Sequence, residues 1–176
     1  MSNFITSKGY QPLAIFRKTV IALTAAGALL AIAGQAGAQS PQPVSSDPTV
    51  VAKEREKTMK SMGDAMKKIS AYVKNEGGTI DGVREGAATI QQASHKIVPG
   101  LFPANTGMGT VKDSAAKPEI WKQWPQFEQA AHKLESTSAE LVTVAATDDR
   151  ASIAKQFGQV GQSCGGCHEN FRQKKE

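Results

Sequence analysis

Apolar residues recur along most of the chain at spacings of three and four, the pattern of amphipathic helices. The face of the first predicted helix consists of Val51, Arg55, Met59, Met62, Met66, Ile69 and Val73. Asp47 or Ser46 offers an N-cap for this helix, with Pro48 at its first helical position. We expect it to end near Asn75, before two consecutive glycines.

The second helix is expected to start around Asp81 and to stop at Pro99-Gly100, because proline and glycine end helices. Its predicted inward face consists of Val83, Ala87, Ile90, Ala93 and Ile97. Residues 98–117 then predict a long connection, since their prolines and glycines suit neither a regular helix nor an alternating strand. A long crossover of this kind fits one of the wide gaps of a helix bundle.

Two further helices complete the pattern. The third is expected to begin at Pro118-Glu119, with proline and an acid in its first turn. Its broad apolar face consists of Ile120, Trp121, Trp124, Phe127, Ala131, Leu134, Leu141 and Val142. The fourth is capped by Thr147 or Asp148, and its face consists of Ile153, Phe157, Val160, Cys164, Cys167 and Phe171. These elements predict an all-α fold, an antiparallel four-helix bundle.

The run Cys164-Gly165-Gly166-Cys167-His168 has the C-x-x-C-H spacing of covalent haem attachment. Two thiols three residues apart on a helix share one face, so each can form a thioether with one vinyl group of the same porphyrin. The imidazole that follows can bind the iron as the proximal ligand. Because the cysteines continue the apolar face of the fourth helix, we predict one covalently bound haem c, with its iron, in the bundle interior.

Other uses of two cysteines fit less well. A structural zinc site requires about four ligands, and His95 and His132 lie far from the motif without zinc-finger spacing. A thioredoxin-like dithiol requires a βαβ context, which the helical pattern does not provide. A plain disulfide between Cys164 and Cys167, in an exported structural bundle, remains the alternative.

The first 38 residues predict a secretory signal peptide, cleaved after Ala38. Basic residues precede an apolar run of about fifteen residues that is too short to span a bilayer, although a retained anchor is the alternative. We expect residues 39–47 to form an extended leader, residues 48–176 to form the four-helix-bundle domain with its haem, and the mature chain to lie in the periplasm. Cleavage would remove three basic residues and no acidic one, lowering the net charge from +5 to +2, so no basic stripe for nucleic acid remains.

With the haem motif placed in the last helix of a bundle, the sequence resembles the class II cytochromes c, the cytochrome c-prime family. The most specific matches are CGGCHENFR, from Cys164 to Arg172, and REKTMKSMGDAM, from Arg55 to Met66. Residues 101–121 also resemble the crossover and third-helix start of that family. The sequence looks most like the low-spin branch typified by cytochrome c-556.

The resemblance implies roles for five residues around the haem. It implies that His168 is the proximal axial ligand and Met59 the distal one, and that Arg55 binds a haem propionate. It further implies that Trp121 packs near the haem and that Arg172 lies beside the proximal histidine. Three alternatives remain open: Met59 as a core residue only, Met62 or Met66 as the ligand on the same face, and Arg55 as a solvated residue on the helix flank.

Two functions follow from the state of the distal side of the iron. With Met59 bound, the chain is an electron carrier rather than an enzyme, meeting periplasmic or membrane-bound redox proteins transiently. Without it, the chain is a five-coordinate protein that binds nitric oxide or carbon monoxide at the open haem face. We expect no nucleic-acid partner. The resemblance also implies a homodimer through the first two helices.

Overall fold

The computed structural model describes residues 44–174 and is helical over most of that range. The helices are α1 (Pro48–Val73), α2 (Ile80–Ser94), α3 (Glu119–Lys122), α4 (Trp124–Ala145) and α5 (Arg150–Phe171), and a π-helical turn spans Ile97–Leu101. Four long helices pack as a bundle, which confirms the predicted all-α architecture. Within the described range the one strand-like pairing is an isolated bridge between Ala116 and Arg172. The predicted signal peptide and the leader up to residue 43 lie outside the described residues.

The first helix begins and ends close to the predicted positions. The side chain of Asp47 accepts a hydrogen bond from the Thr49 N–H at 2.8 Å, and Pro48 occupies the first turn. The helix ends at Val73, two residues before Asn75, which has a φ of 62°. An asparagine tolerates this left-handed conformation better than most residues, so the chain can turn there toward α2.

The second helix ends earlier than predicted. Thr79 caps its N-terminus by accepting a hydrogen bond from the Gly82 N–H at 3.1 Å. The helix stops at Ser94. The π-helical turn that follows is wider than an α-helix and contains Pro99, whose missing N–H interrupts the ladder of backbone hydrogen bonds. Residues 98–101 were therefore wrongly predicted to be irregular.

The predicted third helix is broken in two. A single helical turn, α3, ends at Lys122, and α4 begins at Trp124. Pro125 explains the break, because it has no N–H to donate to Trp121 and its ring would clash with the carbonyl of that residue. Gln123 accordingly leaves the helical region, with φ −125° and ψ 45°.

The last helix is capped one residue later than predicted. The carboxylate of Asp149 accepts hydrogen bonds from the N–H groups of Ala151 and Ser152, both at 3.2 Å. Hydrogen bonds from Ser152 and from these amides lower the pKa of Asp149. Asp148, one of the predicted caps, instead adopts a φ of 60° in the turn.

The bundle is closed tightly on three sides and loosely on the fourth. The pairs α1–α2, α2–α4 and α4–α5 pack closely, whereas α1 and α5 contact each other far less. Gly86 of α2 illustrates the close packing, since a Cβ there would lie 3.0 Å from Ile69. The loose side is the one on which a planar group could enter the bundle.

No helix in the described range is both long and apolar enough to cross a membrane.

Candidate haem site

The haem-attachment motif lies on one face of α5, close to its C-terminal end. Cys164, Cys167 and His168 are all half-buried, and both thiols pack against the hydrophobic core. Both cysteines are free, so they form no disulfide. Burial raises the pKa of both thiols, that of Cys167 to about 11, and the thiols are therefore neutral at pH 7.

The space beside the two cysteines is open. Gly165 and Gly166 are exposed, and a Cβ at either position would meet nothing within 4 Å. Packing within the protein therefore does not require glycine at these positions. The open surface fits the predicted approach of a porphyrin edge between the two thiols.

His168 is held in the protonation state that binds a metal. Burial lowers the pKa of its imidazole, and the positive charge of Arg172 lowers it further. The imidazole is consequently neutral at pH 7, with a lone pair available for iron. Arg172 is exposed at the C-cap of α5, where its backbone N–H donates to the His168 carbonyl at 3.1 Å.

The helices on either side of the loose gap, α1 and α5, run antiparallel. At one end, Arg150 of α5 donates a hydrogen bond to the Tyr72 carbonyl of α1 and stacks on the Tyr72 ring, 4.0 Å from its centroid. Farther along the gap, a Cβ on Gly161 would lie 3.8 Å from Cε of Met66. Met66 of α1 and position 161 of α5 are therefore at the same level across the gap.

The proximity of Met66 and Gly161 indicates the register of the three methionines. Seven residues make about two helical turns, or roughly 10 Å, and return to the same helix face. Moving by seven from Met66 and from Gly161 toward the other end of the gap leads to Met59 on α1 and His168 on α5. Met59 is half-buried against the core, whereas Met62 is 5% exposed and belongs to the core itself.

Arg55 is buried, with 7% of its surface exposed, so the alternative of a solvated flank residue is wrong. Its Nη1 donates to the Leu101 carbonyl and to Thr106 Oγ1, both at 3.1 Å. Its Nη2 donates to the Thr106 carbonyl at 2.7 Å and to Ser114 Oγ at 3.0 Å. The guanidinium also lies 4.8 Å from the centroid of the Phe102 ring. These partners belong to the crossover between α2 and α3.

The charge of Arg55 has no counter-ion within residues 44–174. All four hydrogen-bond acceptors are neutral oxygens, and no carboxylate of the described residues lies within 4.0 Å of its nitrogens. A buried cation is costly without an anion, and none of the four bonds uses Nε. A haem propionate is an anion of the right kind for this position. The thiols, the neutral imidazole and this uncompensated cation therefore all fit a covalently attached haem.

Trp121 lies at the start of the third-helix region, half-buried against the core. Its Nε1 donates to the Phe102 carbonyl at 3.1 Å, which ties it to the crossover. Its ring covers Gly107 so closely that a Cβ there would lie 2.4 Å from a ring carbon. The tryptophan thus fixes the crossover, in addition to any contact with the haem.

Other ligand sets are not assembled in the described part of the chain. No group of three or more His, Cys, Asp or Glu side chains among those residues is arranged to hold a metal ion. His95 and His132 are exposed, and both face Glu135. The zinc alternative therefore lacks ligands.

We expect the exposed His132 side chain to titrate with a pKa that its hydrogen bond to Glu135 raises. Nδ1 of His132 lies 2.8 Å from Glu135 Oε2, and this hydrogen bond raises the pKa above the ordinary value of 6.5. The pair therefore contributes stability at pH values below 6.5, and the contribution is lost as the pH rises through the folded-state pKa. An NMR titration should show a lower pKa in Glu135→Gln and a smaller decrease in Glu128→Gln, a more remote charge. An unchanged His132 pKa in Glu135→Gln would show that the hydrogen bond to Glu135 does not raise it.

Several residues of the site were not predicted from the sequence. Thr106 and Ser114 bind Arg55, Phe102 stacks beside it, and Gly107 accommodates the Trp121 ring. A buried arginine requires several acceptors, and that requirement was the available signal once Arg55 had been placed on the inward face. The identity of the acceptors depends on how the crossover folds, which no local pattern specifies.

Comparison with known proteins agrees with this geometry. The family model described as Cytochrome C' matches residues 50–172. A cytochrome c-556 from Agrobacterium tumefaciens (strain B2A) is 35% identical over 122 residues, which cover 69% of this chain and 96% of that protein. A cytochrome c' from Rhodopseudomonas palustris is 35% identical over 128 residues, covering 72% of this chain and 84% of that protein.

A solved structure shows the same fold. It is a cytochrome c' described as having an unusual ligand-controlled dimer dissociation. It superimposes with a TM-score of 0.67 at 27% identity, covering 73% of this chain and 98% of the other. The chain therefore belongs to the cytochrome c' family, the class II cytochromes c, and its cofactor is a covalently attached haem c.

Proposed function

We propose that the chain is an electron-transfer cytochrome in which His168 and Met59 bind opposite sides of the haem iron. The register across the loose gap supports this proposal, because extending it by two helical turns from Met66 and Gly161 puts Met59 near the level of His168. The other two methionines on this face of α1 are less suitable. Met62 is enclosed in the core, and Met66 lies about two turns away from His168.

The haem supplies a one-electron change at its iron, and the side chains around it set how easily that change occurs. His168 and Met59 are both neutral ligands, and a thioether opposite an imidazole raises the reduction potential. Arg55 would bind a propionate and compensate its charge inside the bundle. Cys164 and Cys167 would hold the porphyrin by thioethers, so the cofactor stays on the chain in both oxidation states.

The alternative function is the binding of nitric oxide or carbon monoxide at a five-coordinate iron. Relatives named cytochrome c-556 and cytochrome c' are equally similar to this chain, at 35% identity. Met59 also packs against the hydrophobic core, as a simple apolar filler would. The two functions therefore differ in one bond, between Met59 and iron.

Replacing Met59 by alanine tests that bond. We expect the oxidised wild type to show a methionine-to-iron charge-transfer band and the reduced protein to have a low-spin spectrum. Met59→Ala should lose the band and gain carbon monoxide binding, because the substitution removes the thioether that we propose as the distal ligand. Absorption spectra of both oxidation states, with and without carbon monoxide, provide the measurement.

Met66→Ala is the matched control, since Met66 is also half-buried on the same helix face. It should keep the band and remain closed to carbon monoxide. Unchanged spectra in Met59→Ala would assign the ligand to Met62, Met66 or a histidine. Rapid carbon monoxide binding by the wild type would favour the gas-binding function.

The proposal extends to the setting of the protein. We place it in the periplasm after cleavage following Ala38, where it would exchange electrons with periplasmic or membrane-bound redox proteins in brief encounters. A related cytochrome c' forms a dimer whose dissociation is ligand-controlled. For this chain we propose a homodimer through α1 and α2, which sedimentation of the haem-loaded protein would test.

A further inference from the structure

The crossover between α2 and α3 is fastened to both sides of the loose gap. Its residues 115–117 pair with the end of α5: the Lys117 N–H donates to the Phe171 carbonyl at 3.0 Å, and the Gln173 N–H donates to the Ala115 carbonyl at 2.8 Å. These bonds join the crossover to Phe171 and Gln173, which lie three and five residues after His168. The α5 side of the gap is therefore held by backbone hydrogen bonds.

On the α1 side, Arg55 is the side chain that hydrogen-bonds to the crossover within the described residues. Its two terminal nitrogens bind oxygens of Leu101, Thr106 and Ser114. Ser114 Oγ in turn donates to the Thr106 carbonyl at 3.0 Å, which joins two distant parts of the loop. Ser114 directly precedes the segment that pairs with α5, so the two attachments are one residue apart.

Resting on the proposed function, we propose that Arg55 is a positioning residue for the distal ligand. Through the crossover it links α1 to the end of α5 and fixes the separation of the two helices where their direct contact is sparse. Met59 lies one helical turn from Arg55 on the same face, so this separation would determine how readily its thioether reaches a bound haem.

The chemistry of the link explains why an arginine is required. The planar guanidinium directs two terminal nitrogens at acceptors from three loop residues simultaneously and keeps Nε for a further partner. A lysine has the same charge but a single nitrogen, which has no fixed planar arrangement of donors. Arg55→Lys therefore keeps a cation near the propionate and loosens the crossover.

Two variants separate the link to the crossover from the contact with the propionate. Arg55→Lys keeps the positive charge and changes the donors to both partners. Thr106→Val leaves the arginine in place and removes one buried acceptor of Nη1, together with the hydrogen bond from Thr106 Oγ1 to the Pro103 carbonyl. We expect both to raise the association rate of carbon monoxide with the reduced protein about tenfold, because a lost hydrogen bond to a charged group frees Met59 more often. Amide hydrogen exchange at Lys117 and Gln173 should also become faster.

Arg150→Lys is the matched control. Arg150 likewise binds a carbonyl and stacks on an aromatic ring across the α1–α5 gap, but at the opposite end of the bundle. It should leave the carbon monoxide rate and the exchange at Lys117 and Gln173 unchanged. Faster exchange in Arg55→Lys and Thr106→Val with a wild-type carbon monoxide rate would overturn the positioning role, as would unchanged exchange in both.

Measuring Met59→Ala in parallel distinguishes a failure of the proposed function from a failure of the role proposed for Arg55. If it leaves carbon monoxide binding unchanged, Met59 is not the ligand and the proposed function is wrong. If it accelerates binding while Arg55→Lys and Thr106→Val do not, Met59 is the ligand and only the role of Arg55 is refuted.

Discussion

The double variant Cys164→Ser, Cys167→Ser will release all of its haem when it is denatured, whereas the wild type will retain its haem on the chain. Both thiols are free, half-buried and neutral, and they lie three residues apart on one face of α5. A serine hydroxyl forms no thioether with a vinyl group, so only the axial ligands would remain, and these are lost on unfolding. Haem absorbance of the denatured, separated polypeptide provides the measurement.

The single variants test whether both positions take part. Cys164→Ser and Cys167→Ser should each keep the haem through the remaining thioether, with a spectrum shifted by the unreacted vinyl group. Ser163→Ala, which alters the residue beside Cys164 without removing a thiol, should retain the haem as the wild type does. Haem that stays with the denatured double variant would show that another residue forms the covalent bond.

Phe127→Ala should lower the free energy of unfolding by about 3–5 kcal/mol, the range for removing a large buried aromatic side chain. Phe127 is almost fully buried in α4, where its ring meets those of Phe102, Trp124 and Phe171 at centroid distances of 4.7, 5.4 and 5.4 Å. The cavity would therefore open between the crossover, α4 and the end of α5. Urea unfolding of the haem-loaded protein, followed by circular dichroism, gives the change.

Val50→Ala serves as the comparison for Phe127→Ala. Val50 is an apolar residue that is 48% exposed on α1, so its removal should change the free energy of unfolding by less than about 0.5 kcal/mol. A loss below 1 kcal/mol for Phe127→Ala would mean that the aromatic cluster is not part of the stabilising core.

The sequence pattern was a reliable guide where the cause of structure is local. The spacing of apolar residues located the four long helices, and Asp47 with Pro48 identified the start of α1. The apolar face continues across Gln123, so the spacing pattern does not reveal the break that Pro125 causes there. The cap at Asp149 was displaced by one residue, since Thr147, Asp148 and Asp149 are all chemically suitable.

The residues of the haem site likewise fall into those that local sequence predicts and those that depend on the folded structure. Cys164, Cys167 and His168 are adjacent in sequence, and their spacing alone indicates haem attachment. The partners of Arg55, by contrast, lie 46 to 59 residues away in a loop without periodicity. The proposal of Met59 over the other two methionines also needed the folded structure, because Met59, Met62 and Met66 share one predicted helix face and differ in burial and in their level relative to α5.

The loose α1–α5 side has a consequence for the order of folding. The attachment residues all lie in the second pair of long helices, α4 and α5, whereas Met59 lies in the first pair, α1 and α2. Short connections let each pair form early, but bringing α1 against α5 closes a loop of nearly the whole domain, which is entropically the slowest step. We therefore expect the α4–α5 pair, which carries Cys164, Cys167 and His168, to form before Met59 of α1 is brought beside it.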